Sequence, residues 1–378
     1  MGTQEYGGWE KIRPLGEGGQ GEVFLVRSPQ RAKARNEARI TISGCIGGVN
    51  PGVPGSALRA ADELARGIAE FNRPENPNEL GALKQFKVPD ESDKRDKVLQ
   101  RFHNELNALQ QIEGEPAALR VLASGPYEYW MITEYHPAGS LSRYPEMFRG
   151  NARGALEALC PIIALVAKLH EKGIVHRDIK LGNVLIDRSG RLVLSDFGIV
   201  FREADQRPTE LVERVGSRDW MAPWGHIGMR VDDVKENFDV FPLGKVLWCM
   251  ISGRPMLPFW YFDKPQFDLT RMFPGDPSMH AINAILANCI VQEEEACWTS
   301  ARDLLVAVDS TLEMLAHGGQ ALTDGVPRPC RVCGVGDYRP EQRFAMLSEH
   351  HPPLKARIYS CWKCGHVQLF VPPLAGAR

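Results

Sequence analysis

Over residues 9–27 the chain alternates apolar and polar positions around a cluster of glycines, WEKIRPLGEGGQGEVFLVR, which predicts two short strands joined by a glycine-rich turn. The next strand signal comes only at GALKQFKV, residues 81–88. Residues 28–79 therefore read as an insertion. It opens on basic RAKAR, runs through the glycine- and proline-rich GCIGGVNPGVPG and closes on SALRAADELARGIAEF. In that last stretch Ser56 can cap a helix with Leu58, Ala61, Leu64, Ala65 and Ile68 on one face. A surface elaboration is expected, with a helix that docks a protein partner as the sharper reading. Residues 93–112 predict a longer helix, with Val98, Phe102, Leu106 and Leu109 at helical spacing. Strands follow, ending in WMITEY at 130–135. After Gly150 the periodicity is mainly helical, broken by a hairpin pattern at 184–198 whose turn runs from Asp187 to Gly190. A strand-rich part thus precedes a helix-rich part, and residues 317–328, full of turn formers, read as a linker.

Length and charge narrow the classes. A chain of 378 residues is long enough for two or three packing units, because single cores stop growing near roughly 250–300 residues. A net charge of −2 argues against non-specific nucleic-acid or membrane binding as the main task. No apolar run is long enough to span a bilayer and the first residues lack the order of a secretory signal, so a cytoplasmic location without membrane attachment is expected. Of the nine cysteines, Cys330, Cys333, Cys361 and Cys364 form two C-x-x-C pairs, the pattern of a closed tetrahedral Zn²⁺ site of structural type. The others, Cys45, Cys160, Cys249, Cys289 and Cys297, read as small buried hydrophobes.

Gly16, Gly18 and Gly21, followed by Val23, give G-x-G-x-x-G-x-V, a spacing that lets backbone N–H groups approach phosphate oxygens. Alone it is a weak signal. It is followed in order by Ala82-Leu83-Lys84, a helix bearing Glu105, His176-Arg177-Asp178 with Asn183, and Asp196-Phe197-Gly198. With this ordered set the sequence resembles the protein kinase family over roughly residues 9–316, the insertion excepted. The resemblance implies an α+β, two-lobed fold. Its expected divisions are a β-rich small lobe at 9–134, a helical large lobe at 135–316, the linker and a zinc-ribbon module at 329–378. It also implies transfer of the γ-phosphoryl group of ATP to protein serine or threonine hydroxyls, autophosphorylation included, with Mg²⁺ or Mn²⁺ as cofactor.

The roles carried over are these. The nucleotide lies against Gly16, Glu17, Gly18, Gly19, Gly21, Val23 and Ala82, with Thr133 gating the pocket behind the hinge residues Glu134 and His136. Lys84, paired with Glu105, holds the α- and β-phosphates. Asp178 accepts the substrate hydroxyl's proton, Lys180 contacts the γ-phosphate as in the serine/threonine subclass, and Asn183 and Asp196 bind the metal through oxygen. Two departures stand out. The family's Ala-Pro-Glu is here Ala222-Pro223-Trp224, and Cys297 stands where the partner arginine is expected, which reads as a substituted packing pair. Glu213 occupies the position where the family often has a phosphorylated threonine; it is a standing negative charge, or else Thr209 is the phosphorylated residue. Pro242 is expected in the first turn of a helix that begins near Asp239, and Asp239 is expected to support the catalytic loop. A small-molecule phosphotransferase and a nucleotide-binding pseudokinase scaffold are the alternative readings. Partners beyond ATP and a protein substrate are expected at the zinc module or the insertion, and nucleic acid is not among them.

Overall fold

The computed structural model describes residues 6–18, 21–47, 56–74, 76–90, 92–197, 201–202, 218–225, 234–316, 338–347, 354–361 and 367–370. The chain divides into two units, Met1–Gly114 with Leu119–Pro137, and Glu115–Ala118 with Ala138–Arg378.

The first unit is built on the alternating segments. In chain order it contains β1 (Glu10–Gly18), β2 (Gly21–Arg27), α1 (Pro29–Gly47), α2 (Ser56–Phe71), β3 (Leu80–Phe86), α3 (Ser92–Gln111), β4 (Val121–Gly125) and β5 (Trp130–Glu134). The five strands form one antiparallel sheet in the order β1-β2-β3-β5-β4. Alternate residues Val26, Leu83 and Ile132 are wholly buried on one face, where Trp130 meets Tyr6 edge-on at 5.7 Å between ring centroids. Helix α3 obeys its periodicity: Phe102, Leu106 and Leu109 are buried.

The insertion is more regular than its sequence suggests. Residues 29–47 form one long helix over a stretch to which the sequence pattern assigned no element, and α1 packs along α2. The reason lies in contacts distant in sequence. A Cβ on Gly67 of α2 would stand 3.1 Å from Ile42 of α1, so the missing side chain lets the helices approach. Arg31, 1% exposed, pairs with Glu70 at 2.6 Å and donates to the carbonyls of Glu70 and Arg73 at 3.1 and 2.7 Å. These bonds cap the last turn of α2 with a cation, as its unpaired carbonyls favour. On the apolar face of α2, Leu64 is half-buried, whereas Ala65 and Ile68 are exposed. The side chains of Ser56, Leu58 and Ala61 lie outside the described residues.

The second unit contains α4 (Ala152–His170), β6 (Ile174–Val175), β7 (Val184–Ile186), β8 (Leu192–Leu194), β9 (Phe201–Arg202), α5 (Asn237–Ser252), α6 (Leu269–Met272), α7 (Ser278–Leu286) and α8 (Ala301–Ala316). Helix α4 packs against α5 and α8, and α5 is buried along its whole length. Strands β7 and β8 form the expected hairpin, whose turn is tied by Asp187 accepting from the Ser189 and Arg191 N–H groups at 2.8 and 2.9 Å. Strand β6 pairs with β9. Pro242 lies beyond the first turn of α5, a turn deeper than expected, because the helix starts at Asn237. Dense packing on all sides tolerates the missing N–H there. Trp224 packs edge-on to Phe241 at 5.7 Å, while the Cys297 thiol points to the Cys289 carbonyl at 3.6 Å. Burial pushes both Cys249 and Cys297 up to about 12, so they are the inert thiols expected. The side chain of Cys45 lies outside the described residues.

Near the C-terminal end, β10 (Tyr338–Leu347), β11 (Leu354–Cys361) and β12 (Val367–Phe370) make an antiparallel sheet in that order. Among the described residues no helix is long and apolar enough to cross a membrane.

Candidate active site

The candidate residues fall into one group in each unit. In the first, β1 and β2 turn at Gly18 and Gly21, which face each other in register, with Gly19 outside the described residues. A side chain at Gly21 would run into the backbone carbonyl of Gln85, so only glycine permits this approach of β2 to β3. The register then sets Val23 opposite Lys84, and Ala82 opposite Thr133. Val23, Ala82, Lys84 and Thr133 are thereby gathered on neighbouring strands, with Glu134 ending β5 and His136 buried just beyond it. Lys84 Nζ donates to both carboxylate oxygens of Glu105 at 2.9 and 2.7 Å. Glu105 is 4% exposed although its neighbours on α3 are apolar. A carboxylate so buried is tolerated because it is bidentately paired.

In the second unit, Asp178 is held through one oxygen. Its Oδ2 accepts from Lys180 Nζ at 2.6 Å and from Asn183 Nδ2 at 2.9 Å, whereas its Oδ1 is buried with no hydrogen-bond partner among the described residues. Asn183 also donates to the Asp178 backbone carbonyl at 2.8 Å, so its amide hydrogens are both spent and its Oδ1 is the atom left to accept or coordinate. Ser195 donates from both N–H and hydroxyl to the Asn183 carbonyl, at 2.9 and 2.8 Å. The residue after it, Asp196, therefore comes back to Asn183. Arg177 and Asp196 both adopt left-handed backbone, with φ of 68° and 62°, strained for non-glycine residues and concentrated at this site.

Asp239 fixes the loop from beneath. It is wholly buried, and its oxygens accept from the backbone N–H groups of His176 and Arg177, each at 2.8 Å. The expectation that Asp239 supports this loop is met. Nothing in the residue pattern pointed to its third partner, His170 Nε2 at 3.0 Å, whose Nδ1 in turn accepts from the Ala301 N–H at 3.2 Å. Burial alone would raise the Asp239 pKa; the hydrogen bonds from His170 and from the His176 N–H outweigh it and hold the carboxyl below its ordinary value. Burial keeps His176 low and neutral. Its Nδ1 accepts from the Asp178 N–H at 3.3 Å, and Phe197 packs edge-on to the ring at 4.7 Å.

Gly198, Thr209, Glu213, Cys330, Cys333 and Cys364 lie outside the described residues, as do the side chains of Glu17 and Cys361. Among the described residues no cluster of three or more His, Cys, Asp or Glu is set to hold a metal ion.

The first unit thus pairs a lysine and a glutamate across strand and helix, and the second carries an aspartate–lysine–asparagine loop ahead of Asp196. A family model described as the protein kinase domain matches residues 72–293, more than half of the sequence, and the chain belongs to that family. Similar curated proteins include a probable serine/threonine-protein kinase of Dictyostelium discoideum, 31% identical over 57% of this chain and 23% of its own length. Serine/threonine-protein kinase shk1/pak1 of Schizosaccharomyces pombe is 37% identical over 34% of this chain and 19% of its own. Serine/threonine-protein kinase PAK 4 of Mus musculus is 30% identical over 38% and 23%. The chain thus spans less than a quarter of the length of these relatives.

Proposed function

We propose that the chain is an ATP-dependent protein kinase that transfers the γ-phosphoryl group to serine or threonine hydroxyls of proteins. The observation that carries this reading is the Asp178 carboxylate: one oxygen is fixed by Lys180 and Asn183, and the other is buried without a partner among the described residues. A substrate hydroxyl supplies the donor that this oxygen lacks, and Asp178 takes its proton as the phosphoryl group moves. Lys180, already on the carboxylate, carries the positive charge that the γ-phosphate needs, and its presence favours the serine/threonine subclass. Lys84, oriented by Glu105, binds the α- and β-phosphates. Asn183 Oδ1 and the Asp196 carboxylate are hard oxygen donors that fit Mg²⁺, which when bound neutralises phosphate charge. The similarity to serine/threonine kinases in three organisms supports the same conclusion.

The test is transfer of labelled γ-phosphate to generic protein substrates. Lys84→Met should lower the transfer rate by about 10²–10³-fold, as the loss of one preorganised cation at a phosphate does. Equal and measurable ATP binding without transfer in both proteins would favour the scaffold alternative.

For the C-terminal segment the proposal is one structural Zn²⁺ held by Cys330, Cys333, Cys361 and Cys364. What supports it is the sheet register, which pairs Tyr338, a few residues after Cys333, with Cys361. Elemental analysis should find about one zinc per chain, lost in Cys361→Ser together with the cooperative melting of this segment. Metal-free protein with an unchanged melting profile would remove the site.

A further inference from the structure

Helix α5 is apolar from Val240 to Ile251 except at one position, Lys245. Its side chain is 2% exposed. The ammonium donates a short hydrogen bond to the backbone carbonyl of Asp219 and lies 5.4 Å from the Phe241 ring centroid. We infer that Lys245 is a positioning residue for the protein substrate: from α5 it pins the Arg218–Trp220 turn, and so the Arg218–Pro223 segment, to the helix that also holds the catalytic loop. This rests on the kinase reading, because the segment ends in Ala222-Pro223, where the kinase family has its Ala-Pro-Glu.

The energetics separate this role from simple core packing. A buried ammonium without a buried anion weakens a fold. Among the described residues two ionisable groups face Lys245. Cys249, one turn along α5, is pushed up to about 12 by burial and is neutral, while the Asp219 carboxylate belongs to an exposed residue. Burial consequently pushes the Lys245 amine down to about 8, against the pull of the Asp219 carboxylate. An apolar side chain of the same length would fill the space with no charge to bury. What methionine cannot supply is the donor to Asp219, and the carbonyl it would abandon belongs to an exposed residue that water can reach. The loss therefore falls on the placement of the turn and not on the stability of the unit. Asp239 at the start of the same helix fixes the catalytic loop, so α5 references both the loop that performs transfer and the segment that presents the hydroxyl.

The experiment compares wild type, Lys245→Met and Lys245→Arg in the full chain. Lys245→Met should raise the KM for a protein or peptide substrate by roughly tenfold, leave kcat and the KM for ATP within about twofold, and leave the melting temperature unchanged or higher. Lys245→Arg, which stays charged, should restore most of the substrate affinity. Wild-type substrate KM should rise as pH passes about 8, where the lysine loses its proton and its strong donor character; Lys245→Arg should stay flat to about pH 9. Amide exchange in residues 218–225, a readout independent of activity, should be faster in Lys245→Met. An unchanged substrate KM with unchanged exchange overturns the inference, and so does a common fall of kcat, both affinities and melting temperature, which marks a merely structural lysine. If wild type transfers no phosphate at all, the kinase reading fails, and the anchor stands or falls on the exchange measurement.

Discussion

Replacing Asp178 with asparagine leaves a folded protein that transfers phosphate about 10²–10⁴-fold more slowly, the range that a positioned general base contributes. The substitution is nearly isosteric, and the existing bonds dictate which way the new amide turns. Two donors, Lys180 Nζ and Asn183 Nδ2, already converge on Oδ2. The amide oxygen must face them, which sends the NH₂ group to the place of Oδ1. An acceptor waiting for the substrate hydroxyl thus becomes a donor, and the site repels the proton it was arranged to receive. ATP affinity should hold, because the phosphate-binding lysine and its glutamate are untouched. Single-turnover transfer, nucleotide affinity and thermal melting measured together make the check. Retention of more than half of the wild-type rate would sink the role assigned to Asp178.

The second large effect is on stability. Asp239→Asn should destabilise the protein by about 3–5 kcal/mol, the scale for breaking a buried, hydrogen-bonded charge arrangement. The carboxylate accepts from two backbone N–H groups and from His170, whereas asparagine must present an NH₂ to at least one of these donors. The native contribution also depends on pH in a definite direction. Because the folded carboxyl sits below its ordinary value, its stabilisation is complete above the unfolded aspartate pKa of about 4 and is lost as pH falls through the lower folded value. Denaturant unfolding of wild type and variant across that acid range should show the gap at neutral pH closing as pH drops. A gap of less than about 1 kcal/mol at pH 7 would mean that Asp239 does not hold the loop.

What the sequence made legible, and what it hid, follows the range of the interactions. The hairpin turn at Asp187 and the buried face of α3 are local patterns, and both could be read directly. The Lys84–Glu105 pair joins a strand to a helix, and it was readable only through the family resemblance, from the order of Ala82-Leu83-Lys84 and the helix bearing Glu105. Helix α1 was not legible: its residues are indifferent as a helix, and its order comes from Arg31 reaching Glu70 and Arg73 and from the close approach at Gly67. Which side of α2 meets α1 was not legible either: the close approach is at Gly67, while Ala65 and Ile68 stay exposed. His170 gave no signal, as a histidine near a helix end has many bland explanations. Lys245 did give one, a lone cation in an apolar helix, but only the Asp219 carbonyl reveals what it is for.

The ends of the insertion carry a consequence for the architecture of the chain. Arg27 and Leu80 are register partners, and the Ser28 N–H donates to the Glu79 carbonyl at 2.7 Å, so residues 28–79 depart from and return to a single point of the sheet. To the sheet this helical pair is equivalent to a tight turn. The family match begins at residue 72, after the helices, and leaves β1 and β2 outside, although the sheet they belong to is continuous. A segment seated in this way behaves as a removable cassette. The junction at Ser28 and Glu79 is where a foreign domain could be spliced in, or where the chain could be opened to new termini, without asking any strand to change its neighbour.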